Sequence, residues 1–340
     1  MLDRSSFSPD TPLLEARGLS KHFPVAGGLR RRLSRQPGDT LKAVDDVSLS
    51  VRRGETVGLV GESGCGKSTF GRLLVRLYEP TAGQIYHNGV DIMGHNARAT
   101  REMRTKIQIV FQDPYSSLNP TMTVRQTLEE VLAVHKIGLP AQRRDRVENL
   151  LTTVGLAPEM AGRKPHQFSG GQRQRIGIAR ALAVNPDFVV ADEAVSALDV
   201  SVQAQVLNLM MRLQDDLGLT YLFIAHNLGV VKHISQRVAV MYLGRIVELA
   251  PTDELFAEPL HPYTQALLRA VPQPIPRRKE LTPALGGDPP SPIDRPRGCH
   301  FHPRCPAVMP ICREQDPLLR AVGRGRTVAC HLYEAATAPA

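Results

Sequence analysis

The chain has 340 residues, 42% apolar and 22% charged, which marks a globular protein long enough for about two domains. No stretch approaches the ~18 apolar residues of a membrane-crossing helix, and the opening "MLDRSSFSPD" lacks the apolar core of a secretion signal, so a cytosolic protein, free or resting on a membrane protein, is expected. The net charge of +9 is compatible with nucleic acid, anionic lipid headgroups or a polyanionic small molecule, and selects none of them.

From about Pro12 to Val271 short apolar strands alternate with amphipathic helices, the pattern of an α/β layered fold. The arginine run Arg30 to Arg32 falls in a loop-like stretch (24–40) and reads as a solvated loop. "VSLSV" (47–51) alternates as a strand, and "ETVGLVG" (55–61) is a more continuously apolar one. Phe70, Leu73, Leu74 and Leu77 recur at helical spacing and predict one apolar helix face. Asn88-Gly89, between "QIYH" and "VDI", predicts a hairpin turn, since both central residues of that turn need positive φ. "KIQIVFQ" (106–112) predicts another buried strand. Between Pro114 and Asn185 strand signals give way to helical periodicity, with Val147, Leu150, Leu151 and Val154 on one face. "FVVAD" (188–192) and "YLFIA" (221–225) predict buried strands, separated by a helix carrying Val206, Leu209, Met210 and Leu213. Beyond Val271, "PQPIPRRKE" and "GGDPPSPIDRPRG" cannot form helix interiors or central strands, because proline lacks the amide proton. A linker and a small, thinly cored module are expected there, and such a module gains from a metal staple.

"GLVGESGCGKST" places Gly61-x4-Gly66-Lys67-Ser68 after an apolar strand and before an amphipathic helix. Glycines let successive amides converge on phosphate oxygens, and the helix N-terminus adds partial positive charge. In such a P-loop Lys67 reaches the β- and γ-phosphates and Ser68 offers its hydroxyl to Mg²⁺, while Ser63, Gly64 and Thr69 complete the nucleotide cradle. Cys65 reads as a small filler. At the end of "FVVADE", Asp192 is placed to bind Mg²⁺ through water and Glu193 to polarise an attacking water as general base. "QFSGGQRQR" (167–175) raises a separate question: its glycines at a helix start suggest a second phosphate cradle in a chain that already has one.

The P-loop, "FSGGQ" (168–172) and "ADEAVSALD" (191–199), in this order, resemble the nucleotide-binding subunits of ABC transporters, whose signature usually reads LSGGQ. "HPYTQALL" (261–268) and a cysteine-bearing tail narrow the resemblance to ATP-binding subunits of dipeptide and oligopeptide importers, nearest the second ATPase of dipeptide systems. The resemblance implies a P-loop ABC ATPase core over residues 12–271 with an antiparallel β subdomain and a helical signature subdomain (about 114–185), followed by a linker and Cys-rich module (272–340).

It also implies that two ATPase subunits pack head to tail, so that Ser169, Gly170, Gly171 and Gln172 contact an ATP held on the partner. Residue by residue, Gln112 matches the glutamine that senses Mg²⁺ and the lytic water, and Asp199 ends the "SALD" loop at the dimer interface. His226 matches the switch histidine at the γ-phosphate, and Phe23 the aromatic that stacks on adenine; from sequence alone Gln112 could be a solvent-facing strand end and Phe23 a core residue. Alanine at 194 and asparagine at 227 depart from the proline and aspartate usual in the family, which puts turnover at this subunit's own site in question.

The implied partners are a paralogous ATPase subunit or a second copy of this chain, two permease subunits and, through them, an extracytoplasmic peptide-binding protein. The implied place is the cytoplasmic face of the inner membrane. Cargo stays open among peptides, nickel and glutathione. A nucleic-acid-associated ABC ATPase is the rival class, but it would usually bring a long coiled coil or two fused cassettes, and neither is present. In the tail, Cys299, Cys305, Cys312 and Cys330 include no C-x-x-C pair and fit common zinc modules poorly. Four thiolates suit Zn²⁺ or a [4Fe–4S] cluster, and the resemblance favours the cluster. His300, His302 and His331 sit close enough in sequence to replace one thiol.

Overall fold

The computed structural model describes residues 11–25, 40–113, 115–270, 290–323 and 325–333. The opening ten residues, Arg30 to Arg32, "PQPIPRRKE" and the last seven residues lie outside the described residues.

Strands β1 (Leu14–Pro24) and β2 (Thr40–Val51) come first. β2 contains the expected "VSLSV": Val47, Leu49 and Val51 are buried on one face while Ser48 and Ser50 are not, as a two-residue period requires. β3 (Thr56–Val60) is buried throughout, and helix α1 (Lys67–Leu74) follows. α1 buries Phe70, Leu73 and Leu74, but Leu77 is 50% exposed, against expectation. The helix stops before it, because Val75 leaves the helix and Arg76 turns left-handed (φ 51°). β4 (Ala82–His87) and β5 (Val90–Asp91) form the expected hairpin, with Asn88 and Gly89 at φ 52° and 75°. Then come α2 (Ala97–Lys106), β6 (Ile107–Val110), α3 (Val124–Val134), α4 (Pro140–Thr153) and α5 (Gly170–Leu182). β7 (Phe188–Asp192), α6 (Val200–Leu217) and β8 (Thr220–Ile224) follow. The chain continues through α7 (Leu228–Ile234), β9 (Arg237–Tyr242), β10 (Arg245–Pro251), α8 (Thr252–Ala257) and α9 (Pro262–Arg269) to β11 (Arg320–Ala321) and β12 (Thr327–Val328).

The chain divides into two compact units. One comprises Met1–Glu15, Ser50–Thr56 and Ile85–Ile224; the other comprises Ala16–Leu49, Val57–Gln84 and Ala225–Ala340. In the first, β6, β7 and β8 run parallel in that order, pairing Ile107 with Phe188 and Phe188 with Thr220. β7 and β8 are buried at every position, as strands covered on both faces must be. α3, α4 and α5 pack together through Leu128, Leu132, Val147, Leu151 and Ile176, all fully buried. α3 is held at its start by a capping box between Thr123 and Gln126.

In the second unit the strand order is β11-β12-β10-β9-β3. β3 and β9 are parallel, and β9 and β10 form a hairpin through Leu243 and Gly244, both at positive φ. α7 lies so close to β3 that a Cβ on Gly58 would stand 2.3 Å from Val231 Cγ1.

The C-terminal segment corrects one expectation. The described residues from 290 onward are not a stand-alone Cys-rich module but part of the second unit. β12 pairs with the edge of β10, and Phe301, 1% exposed, packs its ring against Tyr242, His261 and Tyr263. A segment too poor in apolar residues to build a core adds one aromatic anchor and a strand to a core already present.

Candidate nucleotide-binding site

The loop between β3 and α1 belongs to the second unit. Gly61, Gly64 and Gly66 take φ values of 153°, 77° and 109°, a backbone that side chains rarely adopt. Space adds a second demand: a Cβ would stand 2.1 Å from Met241 O at Gly61 and 2.1 Å from Ala43 O at Gly66. Gly66 is the N-cap of α1 without a side-chain cap, which leaves the first amides of the helix to serve an anion. Lys67 is buried, and its Nζ donates to Gly61 O (2.8 Å) and Glu62 O (2.9 Å). Ser63 and Gly64 are exposed, and Ser68 and Thr69 half-buried. Cys65 is a buried filler; burial pushes its thiol up, against the pull of the Lys67 ammonium. Curled backbone, helix start and buried ammonium fit a polyphosphate.

Phe23 is half-buried and is therefore not a core residue; its ring meets Tyr78 edge-on at 5.6 Å, and Lys21 Nζ lies 5.1 Å from its centroid. Sequence patterning gave no signal for Tyr78. His226 is exposed one residue before Asn227, whose Oδ1 caps α7 by accepting from Gly229 N (2.9 Å). Asparagine caps as well as the aspartate it replaces, so the second departure leaves the helix start intact.

In the first unit Asp192 closes β7 and is buried. Glu193 follows in the left-handed region (φ 49°), with its amide bonded to Ile224 O (3.0 Å) and its carbonyl accepting from Ser196 Oγ (2.9 Å). Gln112 Nε2 donates to Glu193 Oε2 at 2.8 Å, so the structure brings together two of the predicted site residues, 81 positions apart in sequence. Ala194 is buried and leaves this turn in place.

The SGGQ stretch resolves differently from its sequence pattern. α5 begins at Gly170, and Ser169 caps it in a box with Gln172: Ser169 Oγ accepts from Gln172 N, and Gln172 Oε1 accepts from Ser169 N. A Cβ on Gly171 would stand 2.3 Å from Val202 Cγ1 of α6, whereas one on Gly170 would make ordinary contact with Leu198. Gly171 therefore serves helix packing, and Gly170 keeps the open side. Two arginines of α5 hold the stretch after Gln112: Arg173 stacks 4.0 Å from the Tyr115 ring centroid, and Arg180 donates to Ser117 O. Asp199 is exposed at the N-cap of α6 with no side-chain cap bond.

The four tail cysteines are electrostatic neighbours. Burial pushes Cys299 up to about 12 and Cys330 up to about 11 and raises Cys305, and nearby thiols add to each rise. The expectation of a metal centre is not met for a single ion: among the described residues no three Cys, His, Asp or Glu converge as one ion requires. One zinc ion needs all its sulfurs about 2.3 Å from a common point. Nor do the histidines join such a group among the described residues: His302 Nδ1 lies 3.0 Å from Cys299 O, His331 Nε2 lies 2.9 Å from Gln315 O, and burial lowers His300 to about 4.

Comparison with known proteins agrees with this geometry. The ABC transporter family matches residues 44–196, and the family "Oligopeptide/dipeptide transporter, C-terminal region" matches residues 247–312. The chain is 54% identical to the Oligopeptide transport ATP-binding protein AppF of Bacillus subtilis, over 94% of this chain and 97% of that one. It is 52% identical to the Probable peptide ABC transporter ATP-binding protein y4tS of Sinorhizobium fredii, over 96% and 91% of the two chains. Among solved structures, the dimeric post-hydrolysis state of the ATP-binding cassette MJ0796 bound to ADP and Pi superposes with a TM-score of 0.61 at 28% identity, covering 70% of this chain and 98% of that one. With the glycine loop and its buried lysine on one unit and the Gln112–Glu193 pair on the other, the chain belongs to the ABC transporter family, among its oligopeptide and peptide transport ATP-binding proteins.

Proposed function

We propose that the chain is the ATP-hydrolysing subunit of a peptide importer. The observation that carries the ATPase reading is the loop of positive-φ glycines closing over the buried Lys67 at the start of α1. Gly61, Ser63, Gly64, Gly66, Lys67, Ser68 and Thr69 bind the phosphates, and Phe23, with Tyr78 supporting its ring, stacks on adenine. Ser68, Gln112 and Asp192 are the residues that would hold Mg²⁺, which would neutralise charge developing on the transferred phosphoryl oxygens. Glu193 accepts the proton of the attacking water, Gln112 orients that carboxylate, and His226 contacts the γ-phosphate. The exposed Ser169, the half-buried Gly170 and Gln172 and the Asp199 loop serve the ATP of a partner ATPase, with Gly171 behind them fixing the helix.

The organisation we infer is a nucleotide-binding domain over 12–271 with a helical subdomain at about 114–185, then a linker and C-terminal region of oligopeptide-importer type over 272–340. The partners are a paralogous ATPase or a second copy, two permeases at the cytoplasmic face of the membrane, and a peptide-binding protein beyond them. That no helix among the described residues is long and apolar enough to cross a membrane supports a peripheral subunit. Peptide cargo rests on the names of the relatives. The reading of Cys299, Cys305, Cys312 and Cys330 as a [4Fe–4S] site in preference to zinc rests on the family resemblance alone, since no group among the described residues converges to hold a metal ion.

Substituting Glu193→Gln tests the base. ATP binding should persist while single-turnover hydrolysis falls by about 10²–10⁴. Turnover at the wild-type rate would remove Glu193 from that role.

A further inference from the structure

Glu62, the first residue after Gly61 in the phosphate loop, is fixed from three directions within one unit. Its amide donates to the Tyr263 hydroxyl of α9 (2.8 Å), its carbonyl accepts from Lys67 Nζ (2.9 Å), and its carboxylate is gripped by Arg304. The last contact is bidentate: Nη1 to Oε2 at 2.9 Å and Nη2 to Oε1 at 3.0 Å, with the Arg304 side chain 5% exposed and that of Glu62 24% exposed. Arg304 lies between Cys299 and Cys305, in a segment anchored by Phe301 against Tyr242 and Tyr263. Pairing with Glu62 holds the guanidinium well above its ordinary range.

A carboxylate in a polyphosphate loop is an electrostatic liability, because it repels the ligand that the amides and Lys67 attract. A bidentate guanidinium cancels that charge and fixes the backbone on which the loop's curvature depends. We propose that Arg304 is a positioning residue for nucleotide binding: through Glu62, the cysteine-bearing segment holds the phosphate loop in its binding conformation and neutralises the one acidic side chain inside it. The C-terminal segment thereby sets the ATP affinity of the site, in addition to covering the core. This rests on the ATP-binding reading above.

The test is titration of the purified full-length chain with ATP and Mg²⁺ by calorimetry, alongside thermal melting without nucleotide and steady-state ATPase assays. Binding by wild type, lost in Lys67→Ala, establishes the ATP site; no binding by wild type would overturn that reading and this proposal with it, whereas the Arg304 outcomes below, read with wild type binding ATP, bear on this proposal alone. Arg304→Gln should weaken ATP binding by about tenfold, Arg304→Lys by less, and Glu62→Gln, which removes the charge Arg304 answers, should restore most of the affinity in the double variant. The loss should appear in KM, with kcat held. If Arg304→Gln binds ATP as wild type does, or if Glu62→Gln restores nothing, the proposal is overturned. Should Arg304→Gln fail to fold, Arg304→Lys keeps the charge but loses the fork: weaker ATP binding at an unchanged melting temperature supports the proposal, and undiminished affinity sinks it.

Discussion

Gly170 and Gly171 are adjacent in sequence, and only three-dimensional packing separates them. A methyl on Gly171 collides with Val202 of α6, and α5 cannot move away without lifting its buried face. Gly171→Ala should therefore lower stability by about 1–3 kcal/mol, the cost of overpacking, while Gly170→Ala should leave the urea midpoint unchanged or slightly raised. Equal midpoints for the two variants would contradict the packing role. Glu193 makes a similar point: its left-handed backbone is set by the amide bond to Ile224 O and by Ser196, so alanine at 194 does not unmake the turn.

At the scale of elements, the signature helix carries two functions on one side chain. Ser169 caps α5, and it is also the residue expected to reach a partner's γ-phosphate. Loss of activity in Ser169→Ala would thus be ambiguous, because removing the cap alone costs about 1 kcal/mol. Ser169→Asp separates the two: aspartate caps equally well but repels phosphate, so melting should match wild type while ATPase activity of the assembled transporter collapses. Activity retained in that variant would free Ser169 of any phosphate contact. α5 further ties Tyr115 and Ser117, just after Gln112, through Arg173 and Arg180, so the signature helix and the stretch that carries Gln112 are supported by the same element.

For the whole molecule, the C-terminal segment decides how the protein unfolds. Phe301→Ala should cost about 3–5 kcal/mol and shift the main unfolding transition of the full chain, because its ring fills the core between Tyr242 and Tyr263. A module folding independently would instead melt alone and leave that transition in place, which calorimetric scanning would show.

What the sequence determined by itself was local chemistry. Glycine spacing, the strand–loop–helix order around Lys67, the acidic end of "FVVADE" and the Asn88-Gly89 turn each follow from the conformational needs of a few neighbouring residues, and the structure holds them as expected. The buried strands from Phe188 and Thr220 were legible because strands covered on both faces read as near-continuous apolar runs. Only the tertiary structure decided where α1 ends short of Leu77, that Gly171 belongs to helix packing, that Tyr78 partners Phe23, that Gln112 bonds Glu193, and that Arg304 reaches Glu62 across 242 positions. It also decided that the cysteine-bearing tail joins an existing core. No periodicity within the tail could reveal this, because the apolar surface that Phe301 covers belongs to residues 242–263.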